Sequence, residues 1–278
     1  MFIEPYYNSL RLAVHERLEI RVKADFRKRL LRGDVLVGTL ITLPSAEVAE
    51  ILAEVGFDWL FIDTEHSPFN AHGAQTILQA AGPGCPCLVR VPANGEVWIK
   101  KALDIGAHGI IAPQVNSVAD AEAVVRMCKY PPGGTRGVGI GRAHKYGLGF
   151  NAYMERANNE IAVILQAETA QAVKNISGIV KVPGIDAIFI GPYDLSAALG
   201  KMGQLTDPEV KQAIETIAKA CKKAGVRLGI FAATAEAVVP FIQQDFTLLA
   251  IGTDGMHMAR SAGEVLKILR PTTDIQAV

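Results

Sequence analysis

"FDWLFIDTEHSPFNAHGAQTILQAAG", residues 57–82, holds one structural unit and one chemical puzzle. Within the segment 58–63, everything between Asp58 and Asp63 is apolar or aromatic, the pattern of a strand buried on both faces. The segment 71–82 has helical spacing. Between them Asp63, Glu65 and His66 arrive within four positions. A buried strand that ends in two acids and a histidine needs a reason to keep them.

The same alternation extends in both directions. "VLVGTLI" (35–41) precedes "SAEVAEILAEVG" (45–56), with Ser45 as a cap and Gly56 as a closing glycine. "PCLVRV" (86–91) and "GIIAP" (109–113) each precede a helical pattern. After a glycine-rich pause over 131–160, so do "IAVILQ" (161–166), "DAIFI" (186–190), "RLGIFA" (227–232) and "TLLAIG" (247–252). Apolar strands alternating with helices predict an α/β protein with a parallel sheet. Eight units in about 240 residues predict a single (β/α)8 TIM barrel, with an open doubly wound sheet as the alternative. Residues 1–32 read as an N-terminal helical extension, helical over 8–31, that packs outside the domain or on a neighbour. Residues 33–278 read as the catalytic barrel.

Composition narrows the function. The 278 residues balance 28 Lys+Arg against 28 Asp+Glu, so no net field favours nucleic acid or an anionic membrane. No apolar run approaches the ~20 residues of a membrane span, and the charged first thirty residues lack the core of a signal peptide. Cys85 and Cys87 are spaced C-x-C with no second knuckle, unlike a zinc ribbon. A cytoplasmic protein with reduced cysteines is expected.

Active sites of this fold lie at the C-terminal ends of the strands. Those ends supply Asp63, Glu65 and His66, then Arg90, then Gln166 and Glu168, then "GPYDLS" with Asp194. Each has a structural reading: Asp63, Glu65 or Asp194 as caps, Glu168 as a surface acid, Arg90 in a buried ion pair. Their convergence on adjoining strand ends favours a site. Glu168 and Asp194 suit a hard divalent cation such as Mg²⁺ or Mn²⁺. His66 suits a general base, with Asp63 placed to orient it. Arg90 offers a planar fork to a carboxylate or an oxyanion. The backbone N–H groups of Tyr193 and Asp194, where a loop enters a helix, suit an anion. The run Gly137-Val-Gly139-Ile-Gly141 lacks the dinucleotide register and reads as a loop over the site, with Arg136 and Arg142 as anion contacts. Together these groups describe proton abstraction or carbon–carbon cleavage beside a 2-oxo acid, through an enolate.

"FDWLFIDTEHSP", "LVRVP", "LDIGAHGIIAPQV", "YPPGGTRGVG", "LQAET" and "DAIFIGPYDLS" resemble, in order, the metal-dependent class II pyruvate aldolases of the HpcH/HpaI family. The resemblance spans about residues 33–269. It implies that Glu168 and Asp194 hold a divalent metal, Mg²⁺ or Mn²⁺ with Co²⁺ as a further candidate. It implies that His66 with Asp63 is the acid–base pair, that Arg90 stabilises the enolate oxygen, and that Gln166 contacts the site, either facing pyruvate or supporting the groups that do. Asp104 matches an acid that supports the histidine across a subunit boundary, and Glu65 joins it as an outer support. The implied activity is reversible cleavage of a 4-hydroxy-2-oxo acid to pyruvate and an aldehyde. The implied assembly is a homo-oligomer, a hexamer built from dimers. Relatives differ around Leu40 and "GIFAAT" (229–234), where the aldehyde tail should sit, so substrate identity does not carry over. A 2-oxo acid decarboxylase of oxaloacetate type, a citrate-lyase-type subunit and a non-enzymatic binding barrel are the competing readings.

Overall fold

The structure is a computed structural model that describes residues 26–270. Eight parallel strands close into a barrel in sequence order: β1 (Leu36–Ile41), β2 (Trp59–Asp63), β3 (Cys87–Arg90), β4 (Gly109–Ala112), β5 (Ala162–Ala167), β6 (Ala187–Ile190), β7 (Arg227–Ala232) and β8 (Phe246–Thr253). The last strand pairs back onto the first, as the predicted TIM barrel requires. A short helix, α1 (Phe26–Arg32), precedes β1. The helices between strands are α2 (Ala46–Val55), α3 (Ala71–Ala80), α4 (Glu96–Asp104), α5 (Val118–Cys128), α6 (Phe150–Glu160), α7 (Ala170–Ile179), α8 (Pro192–Ala198), α9 (Pro208–Ala224) and α10 (Ala235–Ile242), and α11 (Asp254–Leu269) follows β8. Ser45, Asn70, Ser117, Thr169 and Thr234 cap α2, α3, α5, α7 and α10 by accepting a backbone N–H of the first turn.

The period-two alternation of the strands divides the core into two layers. Leu36, Leu40, Trp59, Phe61, Phe189 and Leu248 fill the barrel interior. Ile41, Leu60, Ile62, Val89, Ile110 and Val163 face outward under the helices. The interior rings need small neighbours. A Cβ at Gly38 would lie 2.5 Å from the Trp59 indole, and one at Gly229 would lie 2.5 Å from the Phe189 ring. Glycine is what lets these two rings lie against the neighbouring strands.

Helix α1 closes the N-terminal end of the barrel. Phe26 and Leu30 join the interior cluster, with the Phe26 ring 6.2 Å from that of Trp59. Arg27 pairs with Asp186 at 2.8 Å, and Arg29 with Asp58 at 3.0 Å. This part of the extension is therefore a plug of its own barrel. Most of the helix read over 8–31 lies outside the described residues.

The glycine-rich segment differs from its reading as a loop over the site. It follows α5 and precedes β5, so it lies at the N-terminal end of the strands, opposite the strand C-termini. Arg136 is buried there, pairing with Asp104 at 2.7 Å and lying over the Tyr130 ring. Arg142 donates to the carbonyls of Ile105 and Leu78. Both arginines bind protein groups of their own chain rather than an anion in the strand-end cleft.

Helix α11 departs from the other outer helices. Of its described residues only Asp254 is buried, while Met258, Val265, Leu266, Ile268 and Leu269 are exposed. No helix among the described residues is long and apolar enough to cross a membrane.

The seam between β8 and β1 rests on Asp254. Its carboxylate accepts from Thr42 N at 2.9 Å, Thr42 Oγ1 at 2.6 Å, Leu43 N at 2.8 Å and Gly255 N at 2.8 Å. Asp254→Ala orphans these donors, so it should cost about 2–4 kcal/mol of stability, measured by urea unfolding. A loss below about 1 kcal/mol would mean that other contacts hold the seam.

Candidate active site

Strands β2 and β3 pair in a register that sets Asp63 beside Arg90 at their C-terminal ends. The side chains meet in a bidentate fork: Arg90 Nε donates to Asp63 Oδ1 at 2.9 Å, and Nη2 to Oδ2 at 2.7 Å. Arg90 Nη1 lies 3.2 Å from Glu65 Oε2, and the guanidinium carbon sits 5.3 Å from the centre of the Phe61 ring. Burial opposes ionisation of Asp63, but the hydrogen bonds and charge of Arg90 outweigh it and hold the carboxyl below its usual range. Asp63 Oδ1 also accepts from the backbone N–H groups of Glu65 and His66, at 3.0 and 3.3 Å, and so shapes the turn after β2.

His66 stands at the rim, its side chain 64% exposed, with Nε2 3.7 Å from Glu65 Oε2. Its imidazole faces Glu65, whereas Asp63 bonds only its backbone. Any orienting effect of Asp63 on His66 therefore passes through the turn.

The second half of the site comes from β5 and the β6–α8 turn. Glu168 is buried and accepts from Gln114 N at 2.7 Å. Gln166 Nε2 contacts Glu168 Oε2, while Gln166 Oε1 is buried with no partner among the described residues. Gly191 lies between these groups. A Cβ there would be 2.9 Å from Gln166 Nε2, 3.2 Å from Glu168 Oε2 and 3.4 Å from Asp194 Oδ2. Only a glycine leaves this cradle open. Asp194 is in the first turn of α8, which has no side-chain cap.

Burial pushes the Glu168 carboxyl up to about 7, and the neighbouring charges of Asp194 and Glu65 add to the shift. Burial likewise raises Glu65, against the pull of Arg90. Negative charge thus accumulates around Gly191 with Arg90 as the nearby cation. A divalent cation would relieve it, and the oxygen donors of Glu168 and Asp194 fit a hard ion. No cluster of three or more ligating His, Cys, Asp or Glu side chains occurs among the described residues, so two carboxylates are the donor set available.

A cavity of about 140 Å³ opens between these groups, lined by Arg90, Gln166 and Gly191 on one side and by Leu40, Tyr193 and Phe231 on another. The structure thus brings together Asp63, Glu65, His66, Arg90, Gln166, Glu168, Tyr193 and Asp194. It leaves Asp104 apart, at the far end of α4 with Arg136, on the opposite face of its own barrel. Reading the residues alone passed over the Gly191 cradle and the Phe61 ring under Arg90. The second was accessible from alternation along β2, which turns Trp59 and Phe61 inward together.

The profile of the HpcH/HpaI aldolase/citrate lyase family matches residues 37–261. The 2-dehydro-3,6-dideoxy-6-sulfogluconate aldolase of Pseudomonas putida is 38% identical over 251 residues, 90% of this chain and 98% of that protein. The 4-hydroxy-2-oxovalerate aldolase of Rhodococcus jostii is 38% identical over 238 residues, 85% of this chain and 92% of that protein. A solved HpcH/HpaI aldolase/citrate lyase family protein from Burkholderia cenocepacia superposes with a TM-score of 0.85 at 34% identity, covering 88% of this chain and 98% of that one. Fold, strand-end chemistry and relatives agree: the chain belongs to the HpcH/HpaI aldolase/citrate lyase family, enzymes that make and break carbon–carbon bonds.

Proposed function

We propose that the protein is a class II aldolase that reversibly cleaves a 4-hydroxy-2-oxo acid to pyruvate and an aldehyde. The observation that carries this reading is the meeting of Arg90, Gln166, Glu168 and Asp194 around Gly191 at the mouth of the barrel. Glu168 and Asp194 would hold a divalent cation, Mg²⁺ or Mn²⁺, with Co²⁺ as an alternative. When bound, the cation supplies Lewis acidity to the 2-oxo carbonyl.

The chain's own residues do the rest. Arg90 has five N–H donors. Asp63 and Glu65 engage three of its nitrogens. The remaining hydrogens of Nη1 and Nη2 serve the cavity that Arg90 lines, where they stabilise charge on the 2-oxo oxygen as the C3–C4 bond breaks. The N–H groups of Tyr193 and Asp194, at the uncapped start of α8, receive the substrate carboxylate. Gln166 faces the same group. His66, beside Glu65 at the rim, takes the proton of the 4-hydroxyl, and the electron pair of the C3–C4 bond passes to the enolate. Protonation at C3 then gives pyruvate. Asp63 keeps Arg90 aimed and sets the turn that carries His66.

The reading includes a homo-oligomer, a hexamer built from dimers. The apolar residues Met258, Val265, Leu266 and Leu269 recur along one side of α11 at helical spacing and are exposed. Asp104 would reach a histidine like His66 only across such an interface. Four free, buried cysteines suit the reducing cytoplasm.

Incubation with a 4-hydroxy-2-oxo acid and Mn²⁺ or Mg²⁺ should release pyruvate and an aldehyde in equal amounts. Exhaustive chelation should abolish the reaction, and restored metal should recover it. Carbon dioxide from oxaloacetate with no aldehyde from any hydroxy-oxo acid would establish the decarboxylase instead. Arg90→Lys keeps the charge but loses the fork, so kcat per folded molecule should fall by roughly 10²–10³-fold. An unchanged kcat beside a lowered melting temperature would leave Arg90 a structural ion pair only.

The raised Glu168 carboxyl adds a pH test on metal-free protein. Its folded value of about 7 lies above the ordinary 4.5, so the folded state binds the proton more tightly. Its contribution is favourable below 4.5 and is lost as the pH rises through 7, a cost of about 3 kcal/mol at pH 8. Glu168→Gln removes that cost. Its melting temperature should exceed that of the wild type by several degrees at pH 8, with the gap closing toward pH 4.5. A gap independent of pH would place the charge elsewhere.

A further inference from the structure

The chain that leaves β4 takes an uncommon shape. Gln114 has a φ of 49°, in the left-handed region. For a residue with a Cβ this conformation is unfavourable, and it persists only where the surroundings fix it. Here they fix it from both sides. Asn94, in the loop after β3, donates to the Pro113 carbonyl, and Asn116 Nδ2 donates to the Gln114 carbonyl at 3.0 Å. Val115 N donates to the Gln166 carbonyl of β5 at 3.4 Å. Asn116 is anchored in its turn. Its N–H donates to Asp120 at 3.1 Å, its carbonyl accepts from Asn175 Nδ2 at 2.7 Å, and its Oδ1 accepts from the hydroxyl of Thr169, the cap of α7.

This bracing aims one N–H group. Gln114 N donates to Glu168 Oε1 at 2.7 Å. The other oxygen, Oε2, contacts Gln166 Nε2 and borders the cradle, 3.2 Å from where a Gly191 Cβ would lie. Asp194 Oδ2 borders the same point, at 3.4 Å. A glutamate side chain turns about several torsions, so burial alone does not decide which oxygen points where. The Gln114 peptide engages Oε1 and leaves Oε2 toward Asp194. Thr169 adjoins Glu168 in the chain, so Asn116 ties the braced peptide to the backbone that carries the carboxylate.

We infer that Gln114 is a positioning residue: its left-handed peptide, braced by Asn94 and Asn116, turns Glu168 so that Oε2 rather than Oε1 faces the cation cradle. This rests on the reading that Glu168 and Asp194 hold a divalent cation. The task falls to the Gln114 backbone, so the outcome depends on which residues can form that peptide. Proline has no N–H and a φ fixed at about −65°, so Gln114→Pro removes both features. Glycine keeps the N–H and takes a positive φ without steric cost.

The test titrates the metal-free full chain with Mn²⁺ and reads the free ion by electron paramagnetic resonance. The melting temperature of each metal-free preparation is measured alongside. Gln114→Pro should weaken Mn²⁺ binding by about 10–100-fold, the scale for losing a group that orients a ligand. Asn116→Ala removes one brace and keeps the N–H, so it should weaken binding by a smaller factor. The conservative Gln114→Gly should bind Mn²⁺ as the wild type does. A merely structural role predicts lower melting temperatures with Mn²⁺ affinity per folded molecule unchanged. That result for Gln114→Pro would overturn the inference and leave the cation site standing. If Gln114→Pro does not fold, unchanged affinity in Asn116→Ala overturns it instead. Equal losses in Gln114→Gly and Gln114→Pro would overturn the assignment to the peptide. A wild type that binds no Mn²⁺ would overturn the cation reading and the inference with it.

Discussion

A guanidinium buried at the end of a strand cannot stand without anions around it, and the pair Arg90–Asp63 is where this barrel meets that demand. The two residues face each other in register across β2 and β3, at 2.7 and 2.9 Å, over the Phe61 ring. Two charges out of water need near-ideal geometry and further hydrogen bonds to break even. Here the fork supplies the geometry, and the backbone of Glu65 and His66 supplies the bonds. The same carboxylate thus holds the arginine and folds the turn that carries the histidine. On the other side of the cavity the balance is left open. Glu168 and Asp194 crowd around Gly191, and the cost appears in the raised Glu168 carboxyl.

The barrel makes this arrangement affordable by keeping stability and chemistry at opposite ends. At the N-terminal end of the strands, Phe26 and Leu30 close the interior, and Arg136 ties the glycine-rich segment to Asp104. At the C-terminal end, the apolar floor of Phe61 and Phe189 stops short and polar residues take over. The seam of the barrel is the exception, because Asp254 is an acid at the C-terminal end with a structural task. Its four donors are all protein groups of its own neighbourhood. Acids at strand ends are therefore separated by what they bond: Asp254 is saturated, whereas Glu168 and Asp194 border an open cradle.

Much of this was legible in the sequence. The strands were readable because a strand buried on both faces is apolar along its length, and the site residues because polar groups interrupt that pattern only at its end. Ser45 and Gly56 marked helix limits by their backbone chemistry alone. What could not be read was partnership. Whether Arg90 met Asp63, and whether His66 met Asp63 or Glu65, depends on register and rotamer, which spacing does not encode. The segment with Arg136 misled because glycine richness suggests a flexible cover. Its place after a helix and before a strand puts it at the other face of the barrel. The exposed apolar side of α11 was hidden for a related reason: its periodicity is that of any amphipathic helix, and only the fold reveals that its own barrel does not cover it.

Stabilisation of the pyruvate enolate at the mouth of the barrel can be tested without an aldehyde. Pyruvate alone, with metal-loaded enzyme in deuterium oxide, should lose its methyl protons by exchange, followed by proton magnetic resonance. Exchange should depend on both enzyme and metal. Wild-type enzyme that is folded and loaded, yet leaves the methyl protons at the rate of buffer, would contradict that stabilisation.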